Sequence, residues 1–283
     1  MKKNVIITTD SASDLPGALA ERYGIKVMPL TVVVGNESHL DGIDFNCADM
    51  HESYKATGII PKTSAPSLQS IIDFFKPFID DGNEVVYVSV GGTLSSTLRN
   101  VQIVSQELGG GIYTVDTKNL SNGVAMLAIE AAEYRDRGMS AREIVQSVSP
   151  LADRLNISFV LDTLEFMWKG GRCSGITAMG ANMLRLKPAL EMKNEKLTVY
   201  KKYRGNIKSV YLQYIKERLR DEKIYKNRIF LITPAELDGE TEKTVRDAIA
   251  SVDAEAEIER TYTGCSIFSH CGPGALGIMF ISE

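Results

Sequence analysis

At 283 residues, with 44% apolar and 24% charged residues, the chain has an ordinary folded composition and length for two domains or one large α/β domain. Its formal charge of -4 and scattered cations, densest at Lys201-Lys202-Tyr203-Arg204, lack the basic footprint of a nucleic-acid binder. Four cysteines (Cys47, Cys173, Cys265, Cys271) stand far apart without a Cys-x-x-Cys pair, which argues against structural zinc and against a disulfide framework.

The apolar stretch Val5 to Ile7 is interrupted at once by Thr8, Thr9 and Asp10, so no signal peptide is expected. No stretch approaches the roughly eighteen apolar residues of a membrane span. A cytoplasmic protein with no integral membrane segment is predicted. Strand-like and helix-like segments then alternate: strand Asn4 to Thr9, helix Leu15 to Tyr23, strand Val27 to Val34, an amphipathic run from Leu68 to Phe78, strand Val85 to Val90, helix Leu98 to Leu108 and strand Ile112 to Val115. This βα rhythm predicts a parallel, helix-covered sheet. Helix Asn122 to Arg137, stopped by Gly138, should pack on it, and Ser140 with Glu143 forms a capping box for a helix to about Ala152.

From Ile157 the strands alternate more and the connections lengthen: Ser158 to Leu161, Leu197 to Tyr200, Ile229 to Thr233, Glu255 to Arg260 and Gly277 to Ile281. The fold class expected is therefore α/β in two domains, a Rossmann-like parallel-sheet domain over residues 1–152 and an α+β domain over 153–283.

Parallel sheets bind ligands beyond the carboxyl ends of their strands. Four such exits look chemical: Asp10 to Asp14, Thr63-Ser64-Ala65-Pro66-Ser67, Gly91 to Thr97, and Asp116-Thr117. Two of them place hydroxyls immediately before a helical pattern, the arrangement that offers an anion free N–H groups and the positive end of a helix dipole. Ordinary helix caps have the same composition. Asp14 or Ser13 is expected to cap the helix at Leu15, while Asp10 either orients a site hydroxyl or serves a structural bond.

Gly272-Pro273-Gly274-Ala275-Leu276-Gly277 matches G-x-G-x-x-G, but too little chain follows for a dinucleotide fold. It reads as a tight turn into a last strand, with His270 at its entrance as a candidate functional histidine. The run Trp168-Lys169-Gly170-Gly171-Arg172-Cys173-Ser174-Gly175 holds the single tryptophan beside two cations, either a connection with a packed Trp or a partner surface. Walker A and G-x-S-x-G patterns are missing.

In order along nearly the whole chain, Asp10-Ser11, Thr63-Ser64-x-Pro-Ser, the Gly91 to Thr97 loop, Asp116, Leu161-x-x-Leu164 with Gly170-Gly171-Arg172, Lys187-Pro188 and His270-x-Gly-Pro-Gly resemble the DegV family. The resemblance implies two α/β domains holding one long-chain fatty acid between them in a tunnel, with no further cofactor and no catalysis of its own. It also implies a bacterial role in phospholipid metabolism, in which the carboxylate is presented to a separate ATP-dependent fatty acid kinase subunit that makes an acyl phosphate. By the same resemblance Thr63 and Ser95 hold the carboxylate, with Ser64, Ser96 and His270 near the headgroup, and Arg172 and Arg204 contact the kinase. The chain departs from the family pattern at Gly91-Gly92, Ser96 and Ala65, where the family carries a serine pair, a glycine and a glutamine. A competing class is a phosphotransfer or hydrolase enzyme built from Asp10, Thr63, Ser95 and His270 and acting on a small phosphorylated metabolite.

Overall fold

In this computed structural model residues 4–172 and 186–283 are described; Cys173, Ser174 and Gly175 of the tryptophan–glycine run lie outside the described residues. Taken in order, the elements are β1 (Val5–Asp10), α1 (Gly17–Arg22), β2 (Lys26–Met28), β3 (Thr31–Val34), β4 (Glu37–Leu40), α2 (Cys47–Thr57), β5 (Lys62–Ser64), α3 (Leu68–Asp80), β6 (Glu84–Ser89), α4 (Thr97–Glu107), β7 (Ile112–Asp116), α5 (Asn122–Asp136) and α6 (Ala141–Val148). They continue as β8 (Leu155–Val160), α7 (Glu165–Gly170), β9 (Leu186–Lys193), β10 (Lys196–Arg204), α8 (Ile207–Arg218), β11 (Arg228–Thr233), α9 (Gly239–Ala250), β12 (Glu257–Tyr262), α10 (Cys265–Cys271) and β13 (Leu276–Ile281). The chain forms two compact units, Met1–Phe45 with Thr63–Arg154 and Asn46–Lys62 with Leu155–Glu283.

In the first unit the apolar runs form the expected parallel sheet, in the order β2-β1-β6-β7. Val85 and Tyr87 of β6 pack with Ile71 and Phe75 of α3 and with Val101 and Val104 of α4. Alternation turns Val86 and Val88 to the opposite face, where α5 and α6 lie against β6. Helix α5 is apolar and buried from Val124 to Ile129, as a central covering helix must be. The Ser140–Glu143 capping box forms as expected, but α6 stops at Val148 and runs into a 3-10 turn over Ser149–Arg154.

The expected strand Val27 to Val34 is two strands. Pro29 has no N–H for a ladder, so the chain leaves the parallel sheet after Met28, and β3 pairs instead with β4 in a small sheet of order β4-β3-β5. The cap expected at Asp14 or Ser13 is also absent: α1 begins after Pro16, with no side-chain cap bond.

The second unit carries a six-stranded sheet, order β10-β9-β8-β13-β11-β12, antiparallel except where β11 meets β12. One face holds Val160, Leu231, Leu276, Ile278 and Phe280 against Val210, Tyr214 and Ile215 of α8 and Val245 and Ile249 of α9. The register aligns Leu190, Phe159, Gly277 and Ile232 in a row across the other face. A Cβ at Gly277 would stand 2.8 Å from Ile232 Cγ2, so glycine lets this row close. Among the described residues no helix is long and apolar enough to cross a membrane.

Candidate functional site

The segment Gly91 to Thr97 leaves the end of β6 and leads into α4. Its first amides are consumed from behind. Val90 N donates to Asp10 Oδ2 at 3.1 Å, Gly91 N to Asn119 O at 2.7 Å, and Gly92 N to Asp116 Oδ1 at 3.2 Å. Gly91 has no alternative here, since a Cβ would lie 2.9 Å from the Lys118 carbonyl carbon and 3.0 Å from Asn119 N. The glycine pair therefore provides close packing against the β7–α5 connection. Its N–H groups are not the anion donors.

The outward donors come later in the loop. Ser95 Oγ accepts from Thr97 N at 3.2 Å and lies 2.8 Å from Thr97 Oγ1. Leu98 and Arg99, in the first turn of α4, have no intrahelical acceptor for their N–H groups and carry the positive end of the helix dipole. Ser95 is half-buried, and Ser96 is exposed at the N-cap position without a side-chain cap bond. Ser95 is thus a half-buried hydroxyl that accepts from the first amide of α4.

Thr63 and Ser64 sit on β5, Thr63 half-buried and Ser64 exposed with its Oγ donating to Ala65 O at 3.2 Å. Ser67 caps α3 by accepting from Ser70 N at 3.1 Å. Asn100 Nδ2 of α4 donates to Pro66 O at 3.5 Å, tying the two hydroxyl segments together within the first unit. The two sequence-derived headgroup segments therefore lead into neighbouring helices, the first running from β5 to α3 and the second from β6 to α4.

Asp10 ends β1 fully buried, with Tyr87 OH donating to its Oδ2 at 2.7 Å and Ala12 N to its Oδ1 at 3.1 Å. Burial pushes its carboxyl up to about 6, against the lowering by those hydrogen bonds. Asp14, expected as a cap, instead has φ 50 and accepts from Ser121 Oγ at 2.5 Å. Among the described residues no group of three or more His, Cys, Asp or Glu side chains is placed to hold a metal ion.

In the second unit the glycine–arginine motif and His270 come together. His270 lies in the last turn of α10 rather than in the glycine turn itself, and Gly170 closes α7 directly against its ring. A Cβ at Gly170 would stand 2.2 Å from His270 Nδ1. Gly171 has φ 68, the left-handed C-cap of α7. Phe166 and Phe268 pack edge to face at 5.8 Å and hold α7 and α10 together. Burial first, then the Arg172 guanidinium, push the imidazole down to about 4, so His270 is neutral near pH 7. Arg172 is exposed, its Nη1 donating to Gly170 O at 2.7 Å. Arg204 is exposed at the end of β10. Trp168 is 59% exposed on α7, so it is not a packed tryptophan.

Sequence reasoning singled out Asp10 and Asp116 by their place at strand ends, but not what they hold. Tyr87 and Asn119 were missed altogether, because one sits inside an apolar strand run and the other acts through its backbone carbonyl.

A unit built on a parallel sheet, with hydroxyl-bearing segments leading into α3 and α4, is joined in one chain to a mostly antiparallel unit, which defines a two-unit α/β protein. A family model described as "Uncharacterised protein, DegV family" matches residues 4–283. The chain belongs to the DegV family. It is 27% identical to a DegV domain-containing protein of Deinococcus radiodurans over 97% of each chain. A solved structure from Thermus thermophilus, described as fatty acid binding of a DegV family protein, is 26% identical with a TM-score of 0.86, covering 99% of this chain and 100% of that one. A stearic-acid-binding protein from Eubacterium ventriosum matches in fold with a TM-score of 0.84 at 23% identity, covering 100% of this chain and 98% of that one.

Proposed function

We propose that the protein binds one long-chain fatty acid, that Thr63 and Ser95 hold its carboxylate with Ser64, Ser96 and His270 nearby, and that it presents that carboxylate to a separate ATP-dependent kinase subunit. The observation that carries the reading is the likeness to the Thermus thermophilus fatty-acid-binding protein over the full chain. The two hydroxyl segments at neighbouring helix N-termini support it, because a carboxylate there meets hydroxyl donors and a positive dipole end together. Exposed Arg172 and Arg204 are the residues assigned to the kinase contact, where arginine forks pair well with anionic groups of a partner. In this reading the protein is a carrier, resident in the cytoplasm, and the phosphoryl chemistry belongs to the kinase.

A phosphotransfer site built on Asp10 is poorly supported. That carboxylate is 0% exposed and occupied by Tyr87 OH and the Val90 and Ala12 amides.

Native mass spectrometry of the purified protein, followed by denaturing extraction, tests the reading. A fatty acid bound one to one is expected. A protein that arrives empty and takes up no added oleate would overturn it.

A further inference from the structure

The carboxylate in the best position to control the headgroup loop is one that no ligand can touch. Asp10 is 0% exposed, and its Oδ2 accepts both Tyr87 OH at 2.7 Å and Val90 N at 3.1 Å. Val90 is the residue at which β6 hands over to the loop, and Tyr87 is fixed in the core by an edge contact with Phe75 at 5.7 Å. The next two amides go to Asn119 O and Asp116 Oδ1, so three consecutive amides from Val90 to Gly92 are fixed by acceptors outside the loop.

Asp116 is half-buried, and water can replace it as an acceptor. Asp10 has no such substitute, because its loss leaves three buried donors, Ala12 N, Tyr87 OH and Val90 N, without that acceptor. A loop whose donors are set before the ligand arrives discriminates among headgroups more sharply than one that must order on binding.

We propose that Asp10 is a positioning residue for the carboxylate site, fixing the Gly91–Thr97 loop from behind and so setting the preference for a free carboxylate over an uncharged ester. This rests on the fatty-acid reading above.

The test compares binding of oleate and of methyl oleate, at pH 8, to the delipidated full-length protein and to its Asp10→Asn, Asp10→Ala and Tyr87→Phe variants, with a melting curve for each. Asp10→Ala should cut the preference for oleate about tenfold, as loss of a charge-assisted bond does, while methyl oleate affinity stays within about twofold. Asp10→Asn, which keeps one acceptor oxygen, should fall between. Tyr87→Phe removes a bond to the same carboxylate but leaves the Val90 bond, so it should melt earlier and keep the preference. Folded Asp10 variants with undiminished preference would overturn the proposal, as would equal loss of both ligands. If the unsubstituted protein bound neither ligand, the fatty-acid reading itself would fall, and this inference with it. If it bound both equally well, fatty-acid binding would stand and the headgroup preference would be overturned.

Discussion

Thr63 lies on β5 and Ser95 on the β6–α4 loop, and the Asn100 to Pro66 bond ties α4 to the connection that follows β5. In the proposed carboxylate site a charge-assisted hydrogen bond from each hydroxyl would contribute about 1.5 to 3 kcal/mol. Replacing both, Thr63→Ala with Ser95→Ala, should leave the fold intact, weaken fatty-acid retention at least about tenfold and abolish acyl-phosphate formation with a partner kinase. Undiminished acyl-phosphate formation by the double variant would sink the assignment. The loss of Ser95 also removes the acceptor for Thr97 N, at a cost of about 1 kcal/mol in stability. At Gly170 the expected effect is electrostatic as well as steric. Gly170→Ala would drive a methyl group into the His270 ring, expelling the imidazole toward solvent. Its titration, followed by NMR, should move up from about 4 toward its ordinary 6.5. A titration that stays put would show that the ring keeps its place.

The behaviour of the loops follows from the elements that flank them. The β6–α4 loop is pressed against the β7–α5 connection, with backbone on both sides at Gly91. Gly91→Ala should therefore displace one backbone or the other, lowering the melting temperature and weakening oleate binding together. The same change at Gly58, the left-handed C-cap of α2 with open space around a Cβ, should cost stability alone. Calorimetric melting alongside oleate titration separates the two outcomes. The parallel sheet was legible from the sequence because a strand buried on both faces is a continuous apolar run, as Val85 to Val88 is. Helices α2 and α10 were not legible. Neither Cys47–Thr57 nor Cys265–Cys271 carries a clear apolar stripe, and both acquire their packing from partners distant in sequence, such as the Tyr54–Phe166 and Phe166–Phe268 contacts.

At the scale of the whole molecule, fully buried Asp10 and half-buried His270 have opposing effects on stability between about pH 4 and pH 6. The folded pKa of His270 lies at about 4, below its ordinary 6.5. Its neutral burial stabilises fully above about pH 6.5 and is lost as pH falls through 4. The folded pKa of Asp10 lies at about 6, above its ordinary 3.8. Its contribution is complete below about pH 3.8 and is lost as pH rises through 6. Between about pH 4 and pH 6 the two slopes largely cancel. In Asp10→Asn the cancellation ends, so the variant's stability relative to the parent should rise by up to about 3 kcal/mol from pH 4 to pH 7. Denaturant unfolding at a series of pH values reads this difference, and a flat difference would refute it. In the proposed fatty-acid reading the ligand would act at this scale too. Burying about fourteen methylenes at roughly 0.8 kcal/mol each would amount to on the order of 11 kcal/mol before the cost of association. The acyl chain would then dominate affinity, and the headgroup bonds would set orientation.

The amino-acid sequence by itself determined the parallel sheet, the order of the strand exits and the residue types at the anion loops. These are local matters of periodicity, capping chemistry and hydroxyl spacing. The tertiary structure decided which donors remain to face a ligand. Gly91 and Gly92 look like anion-binding amides in the sequence and are occupied in the fold, as is Val90 before them, because the acceptors Asp10, Asn119 and Asp116 arrive from the ends of β1 and β7 and from the β7–α5 connection. It likewise decided that Gly170 belongs to His270, a pairing across a hundred residues that no local pattern encodes and that exists because only a glycine leaves room for the ring.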